Sequence, residues 1–479
     1  MQFLAATGPL PVAPLIALLV FGIALLLVLI LKFKLQAFIS LILVSITVAV
    51  ASGFVNPEAV PLTQVAQTIV NSMGSALGFI ATIIGVGAIF GAILDHSGGT
   101  QALATSLVRA FGREKASWAM LLAGFIISIP VFADVALVIL APLLYSLARD
   151  TKKSLLYFGL PLFCGMAITH AFVPPTPGPV AVGFILGVNL GWIILFGLIV
   201  GVPTALICGP WLCHKLSKGI KVTLPEPELE PGASDVKLPN FAFILFLIVL
   251  PIGLILANTV VEQWVAAGLP DHLTNDERKV QLAAALNSAT TLKQVVYFFG
   301  HPVIALLLST LIAIYFLGIR RGASRETLLN VSTKALGPAG IIILITGAGG
   351  VFKGVLQETG ITEALSEMFG NSGIPVLVLA WLFATLIRVA QGSATVAMLT
   401  AAGLMVGFVE GMSQQELALV TIAIAAGATG FSHVNDSGFW MVSRYFRMTE
   451  GQTLRTWTLL STFISVVGFF FVLLLSLFV

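Results

Sequence analysis

Charge is the scarcest property of this sequence. Of its 479 residues, 9% are Asp, Glu, Lys or Arg, where a soluble globular domain carries about 25%. So little charge cannot keep a body of this size in water, and a soluble enzyme is excluded. Cysteine is rarer still, with Cys164, Cys208 and Cys213 the 3 in the chain. All lie inside apolar runs without ligand spacing, so they read as small buried hydrophobes, with neither a disulfide framework nor a metal site implied. The 24 basic and 21 acidic residues leave a formal charge of +3, too balanced and too sparse for a nucleic-acid surface. A Gly-rich phosphate loop ending in Lys-Ser/Thr is missing, which disfavours ATP-driven work by this chain. Aromatic content, at 9%, is ordinary for a membrane protein and implies no cofactor. Hydrocarbon is what the chain has in plenty: 58% of residues are hydrophobic and the mean hydropathy is +1.05. The lipid bilayer is its expected solvent.

Runs of the ~20 residues that cross a bilayer core are expected to span at 11–31, 35–55 and 76–94. The first lacks a basic lead and a small-residue cleavage site, so it reads as a retained span. Residues 116–148 form a run too long for one crossing and short for two, with Pro130 and Asp134 at its centre, the pattern of a re-entrant hairpin. Residues 154–188 are interrupted by four prolines, Pro174, Pro175, Pro177 and Pro179, and read as a broken span; 191–213 crosses back. A polar linker, 214–240, leads to a second set: spans 241–261, 301–317 and 336–356, a hairpin at 374–408, a broken span at 415–446 and a final span at 457–479, with a polar loop over 262–300. The amphipathic stretch 98–115 is expected at the interface, and the second set has an acidic amphipathic stretch at 359–371.

The two sets resemble each other in detail. Shifting 85–103 by 262 positions pairs Gly85 with Gly347, Gly87 with Gly349, Phe90 with Phe352, Leu94 with Leu356, Gly98 with Gly360, Thr100 with Thr362, Ala102 with Ala364 and Leu103 with Leu365, eight identities in 19. That period is far too long for a solenoid and indicates a duplicated transporter-like body. With the amino terminus outside, nineteen Lys and Arg residues fall on the inner side and only Arg278, Lys279 and Lys293 on the outer, a strong positive-inside bias. Each half then has an odd number of crossings, so the second is inserted upside down. The expected fold is an all-α polytopic membrane protein, an inverted repeat of two five-span halves, 1–213 and 241–479, each with a re-entrant hairpin and a broken helix. Both termini are expected on the periplasmic side.

Broken backbone in lipid is tolerated only where protein or a water-filled cavity satisfies it, so the four interruptions are expected to meet at one site near the midplane. Half-helix amino termini there offer N–H groups and partial positive charge, which suits a small anionic substrate. An ionisable group in a membrane run is costly, which singles out Asp134 at the first tip and Asp436 at the second break. Each reads either as a helix cap or as a proton carrier or substrate contact. His170 and His433 stand beside the two breaks, where an imidazole can relay a proton or serve as hydrogen-bonded structure. Arg388, at the second tip, either meets a substrate carboxylate or pairs with a protein carboxylate such as Asp134. Gln391, Gly392, Ser393 and Thr395 after it, with Thr176, Asn435 and Ser437 at the breaks, are small or hydroxyl-bonding and form the remaining substrate candidates; tight helix packing is the plain alternative for the tip. Lys353, within a glycine-rich span, either snorkels or pairs. No metal site is expected.

Three stretches carry a family likeness: His170-Ala171-Phe172-Val173-Pro174-Pro175-Thr176-Pro177-Gly178-Pro179, Arg388-Val389-Ala390-Gln391-Gly392-Ser393-Ala394-Thr395-Val396 and Ser432-His433-Val434-Asn435-Asp436-Ser437-Gly438-Phe439-Trp440. With the tip Ile129-Pro130-Val131-Phe132-Ala133-Asp134, they resemble the signature segments of the bacterial gluconate:proton symporter (GntP-type) permeases. The resemblance runs over essentially the whole chain. It implies an inner-membrane permease that couples inward proton flow to uptake of gluconate or a related sugar acid, in the ion-transporter fold of paired hairpins and discontinuous helices.

Sodium-coupled carboxylate uptake is the alternative within transport, because unwound carbonyls beside Asn435 and Asp436 suit Na⁺. A channel is disfavoured by the absence of a charge ring or filter repeat. An intramembrane enzyme would need Asp134 and Asp436 as a dyad facing one water. The hydrophobic surface permits a homodimer. The expected partners are therefore a small anionic substrate, protons and lipid, without nucleic acid or cofactor.

Overall fold

A computed structural model describes residues 12–56, 60–224, 238–270, 275–370 and 375–479. Among them there is no strand, and every element is helical. The first half runs α1 (Val12–Leu31), α2 (Ala37–Val55), α3 (Val65–His96), α4 (Gly99–Phe111), α5 (Ala116–Ile127), α6 (Ala133–Thr151), α7 (Leu156–Phe172), α8 (Pro177–Leu186), α9 (Leu190–Cys208) and α10 (Pro210–Ser217). The second runs α11 (Phe241–Ala266), α12 (Asn275–Asn287), α13 (Thr291–Gly300), α14 (Pro302–Ala313), α15 (Arg325–Glu358), α16 (Ile361–Gly370), α17 (Val376–Gln391), α18 (Ala394–Met405), α19 (Gln414–Thr429), α20 (Ser437–Tyr445), α21 (Glu450–Thr453) and α22 (Leu459–Leu475). Nine helical segments among the described residues are long and apolar enough to cross a bilayer. The broken span of the second half is not among them, because neither α19 nor α20 has the length.

Burial separates centre from periphery. Almost every residue of α7, α8 and α19 is buried, whereas most of α1 is exposed or half-buried. These three half-helices therefore form the core, while α1 lies at the periphery. Around them the arms are short. α5 and α18 have 12 residues each and α17 has 16, so they reach ~18–24 Å at 1.5 Å per residue, less than the ~30 Å hydrocarbon core. Their ends lie where backbone groups must find partners, and local sequence supplies them. Gly392 closes α17 with φ +87°, Ser393 Oγ caps α18 by accepting from Val396 N, and Asp436 caps α20 by accepting from Gly438 N at 3.0 Å, each satisfying a terminal group a helix leaves open.

The longest helices pack side by side in opposite directions. Thr68 of α3 donates to Glu358 of α15 at 2.7 Å; one turn on, Ser72 adjoins Gly354, Met73 and Leu77 adjoin Gly347, and Gly85 at the far end adjoins Leu336. As α3 advances, its partner residues in α15 fall back, so the two are antiparallel. The halves also exchange partners: α8 packs on α18, where Gly178 faces Met398, and α6 packs on α20, where the Tyr145 hydroxyl donates to Tyr445 O at 3.1 Å. The second arm of each hairpin thus lies against the second half of the other broken helix.

Several boundaries differ from the sequence reading. α3 and α15 begin eleven residues before the apolar runs at 76 and 336; the polar first turn of α3 is held by the last turn of α15, where Thr68 donates to Glu358, and Ser324 caps the start of α15 by accepting from Thr327 N. The stretch 262–300 contains α12 and α13, with Asn258 of α11 donating to Tyr297 O at 2.7 Å to hold the second of these against the span.

Candidate functional site

Each hairpin tip meets the helix break of its own half. In the second half, Arg388 occupies the last turn of α17 and is 4% exposed. Its Nη2 donates to Asp436 Oδ2 at 2.5 Å. Asp436 also accepts from the Ser432 hydroxyl on Oδ2 and from Gly438 N on Oδ1, the acceptor-only pattern of an ionised carboxylate. Backbone contacts reinforce the join: Val389 O is bonded by His433 Nε2 and Asn435 Nδ2, both at 3.0 Å. Gly392 is required here twice over. Its φ is in the left-handed region, and a Cβ would stand 2.2 Å from Asn435 O.

The arginine is only partly satisfied. Its Nε and Nη1, which carry three of its five N–H donors, are buried without a partner among the described residues, and so is Oε1 of the neighbouring Gln391. Buried polar groups in native proteins are bonded almost without exception, and an unmet one costs about 1–3 kcal/mol. Three donors with positive charge beside one neutral acceptor are complementary to a carboxylate that carries a hydroxyl.

The other candidates divide around this centre. Ser393 and Thr395 are half-buried at the start of α18, with Ser393 serving as its cap. Asn435 and Ser437 are exposed on the open side of the break. In the first half, Thr176 is buried and donates to Val173 O at 2.7 Å within its own turn. It lines a cavity of about 20 Å³ with Pro130, Phe132, Pro175 and Gly87, room for about one water. His170 is half-buried in the last turn of α7. Asp134 lies in the first turn of α6, and its side chain is outside the described residues. The two tip-and-break pairs are linked through α8 on α18.

Of the two roles open to Arg388, the fold shows a pair with a protein carboxylate, and among the described side chains that carboxylate is Asp436, because the second break folds onto the tip of its own half. An Asp134–Asp436 dyad has no support in this arrangement, since Asp436 is held by three donors. Lys353 pairs within the protein, donating from Nζ to Ile185 O in the last turn of α8, where a cation suits the helix dipole. Sequence reasoning missed Ser432 and Trp457, whose Nε1 donates to Ser432 Oγ at 2.7 Å. Twenty-five positions apart, they leave no spacing signal. Among the described residues no three metal-ligating side chains cluster.

With nine membrane-length segments among the described residues, one of them the interrupted α7–α8 pair, the chain is a multi-pass membrane protein. The fold is similar to that in the crystal structure of the YdaH transporter of Alcanivorax borkumensis, with a TM-score of 0.60 at 15% identity over 92% of this chain and 98% of that one. Residues 14–478 match the GntP family permeases, and the chain belongs to that family, a permease and not an enzyme. It is 36% identical to the low-affinity gluconate transporter of Escherichia coli strain K12, covering 93% of this chain and 95% of the relative. It is 38% identical to a gluconate permease of Bacillus licheniformis, covering 96% and 98%.

Proposed function

We propose that this permease takes up gluconate or a closely related sugar acid across the bacterial inner membrane, driven by an inward proton gradient. The observation that carries the reading is the unfilled half of Arg388 beside Gln391. A substrate carboxylate accepts from Nε or Nη1, and a substrate hydroxyl donates to Gln391 Oε1. Ser393, Thr395, Asn435, Ser437 and Thr176 are the groups available to the other hydroxyls, with Gly392 letting the backbone close in. Relatives that align over nearly their whole length are named for gluconate, which supports the substrate class.

The antiparallel course of α3 and α15, which hold corresponding places in the two halves, supports the inverted repeat of 1–213 and 241–479. With the basic-residue bias, it supports both termini lying outside. Alternating access then carries the loaded site from one side to the other. Asp436, bonded as an anion, serves the arginine, so coupling falls to Asp134, His170 or His433, of which a carboxylate at the first tip is the strongest choice on electrostatic grounds.

The test is uptake of labelled gluconate into proteoliposomes under an imposed inward proton gradient without sodium, with other sugar acids as competitors. Accumulation that a protonophore collapses is the expected result. Uptake that starts only when sodium is added overturns proton coupling in favour of the sodium-coupled alternative, and no uptake of any sugar acid overturns the substrate class. Asp134→Asn is expected to abolish accumulation while sparing substrate exchange; loss of binding would make Asp134 a substrate ligand instead.

A further inference from the structure

Ser432 is fully buried, and the amino-terminal end of the last helix closes on it from three directions. Trp457 Nε1 donates to its Oγ at 2.7 Å, Thr458 Oγ1 donates to its carbonyl at 2.5 Å, and its own N–H donates to Ser461 Oγ at 3.1 Å. Two local irregularities make this possible. Phe431, just before it, is a non-glycine residue with φ +52°, a conformation that costs an L-residue about 1–2 kcal/mol. The segment Leu454–Thr458 forms a π-turn, a distortion found mostly where side chains are aimed for function. Trp457 is itself held, 4% exposed, with its ring edge-on to Phe163 of α7 at 4.7 Å.

The proton order in this chain is fixed by chemistry. An indole N–H only donates, so Ser432 Oγ accepts from Trp457 and directs its one proton to Asp436 Oδ2, the oxygen that also accepts from Arg388. We infer that Trp457 and Ser432 are positioning residues for substrate binding: the relay from Trp457 through Ser432 and Asp436 sets which N–H groups of Arg388 remain free for the anionic substrate. Neither side chain touches the substrate. The inference rests on the assignment of Arg388 as the carboxylate-binding group and adds the element that holds it, a helix braced against the first half through Phe163.

Uptake kinetics of Trp457→Phe, Ser432→Ala and the double variant in proteoliposomes test it, with gluconate affinity of the purified proteins read by calorimetry. Trp457→Phe keeps the ring on Phe163 and removes only the donor. Each single variant is expected to raise KM and Kd about fivefold, the loss of one relayed hydrogen bond, with Vmax within about twofold. Because both act through one oxygen, the double variant is expected to match the single ones and not multiply them. Unchanged KM in all three, or effects that multiply, overturns the positioning role, as does a loss confined to Vmax and protein yield, the mark of a purely structural contact. Wild-type protein that takes up no sugar acid is instead a failure of the substrate assignment, and the two outcomes are told apart in the same experiment.

Discussion

Replacing Asp436 by asparagine removes one charge and almost no volume, which makes it the sharpest probe of the Arg388 site. Three donors converge on the carboxylate: Arg388 and Ser432 on Oδ2, Gly438 N on Oδ1. Asparagine has one oxygen to offer. With its oxygen toward Arg388, the amide N–H₂ faces the Gly438 N–H and the α20 cap is lost; flipped, it points donors at the guanidinium. Arg388 and Asp436 are 4% and 12% exposed, so solvent screening relieves little of this. Stranding one member of such a buried pair costs about 3–5 kcal/mol. Removing both charges with apolar groups of similar volume costs far less. Thermal unfolding of purified protein in detergent should therefore rank wild type above Arg388→Met/Asp436→Leu, and that double variant above Asp436→Asn. Saturating gluconate should raise the wild-type and Asp436→Asn midpoints, by about 2.7 kcal/mol of stabilisation at a hundred times Kd, and leave Arg388→Met unmoved. An Asp436→Asn protein as stable as wild type would refute the buried-pair argument. Ligand stabilisation that survives Arg388→Met would refute the placement of the carboxylate.

Three further outcomes follow from the same geometry. Gly392→Ala should reduce uptake more than tenfold without blocking membrane insertion, because a left-handed alanine costs about 1–2 kcal/mol and its Cβ would lie 2.2 Å from Asn435 O, forcing the tip off the break; normal uptake would show that the tip adapts. Gln391→Leu should narrow the preference for gluconate over a hydroxyl-free carboxylate by about tenfold, the value of one buried hydrogen bond to a substrate hydroxyl, in competition uptake. Asn189→Ala should lower the unfolding midpoint and leave KM unchanged. The Asn189 side chain accepts from Thr259 and Gly191 N and donates to Glu262 at 2.5 Å, a cluster at the α8–α9 turn whose loss costs about 1–3 kcal/mol.

How much of this site could be read in advance depends on where each group's partner lies. Pro130, the prolines of 174–179, Arg388 and Asp436 stood out because lipid penalises a missing N–H or an ionised side chain wherever the chain goes afterwards. Interruptions therefore announce themselves locally. Their pairing does not: the sequence suggested a protein carboxylate such as Asp134 for Arg388, and it is the packing of α17 on α19 that brings Asp436 to it. Ser432 was visible within a recognised motif, yet its importance comes from Trp457 and Ser461 on the last helix, and no periodicity links them. The early start of α3 was hidden for the same reason, since Thr68 looks like a loop residue until it is seen to pair with Glu358, 290 positions away at the end of α15. In a membrane protein the cost of a polar group is legible from one residue, and its compensation only from the fold. Ser432 and Trp457 gain their roles entirely from such compensation, so a sequence reading that ranks residues by charge alone passes over the ones that hold the arginine in place.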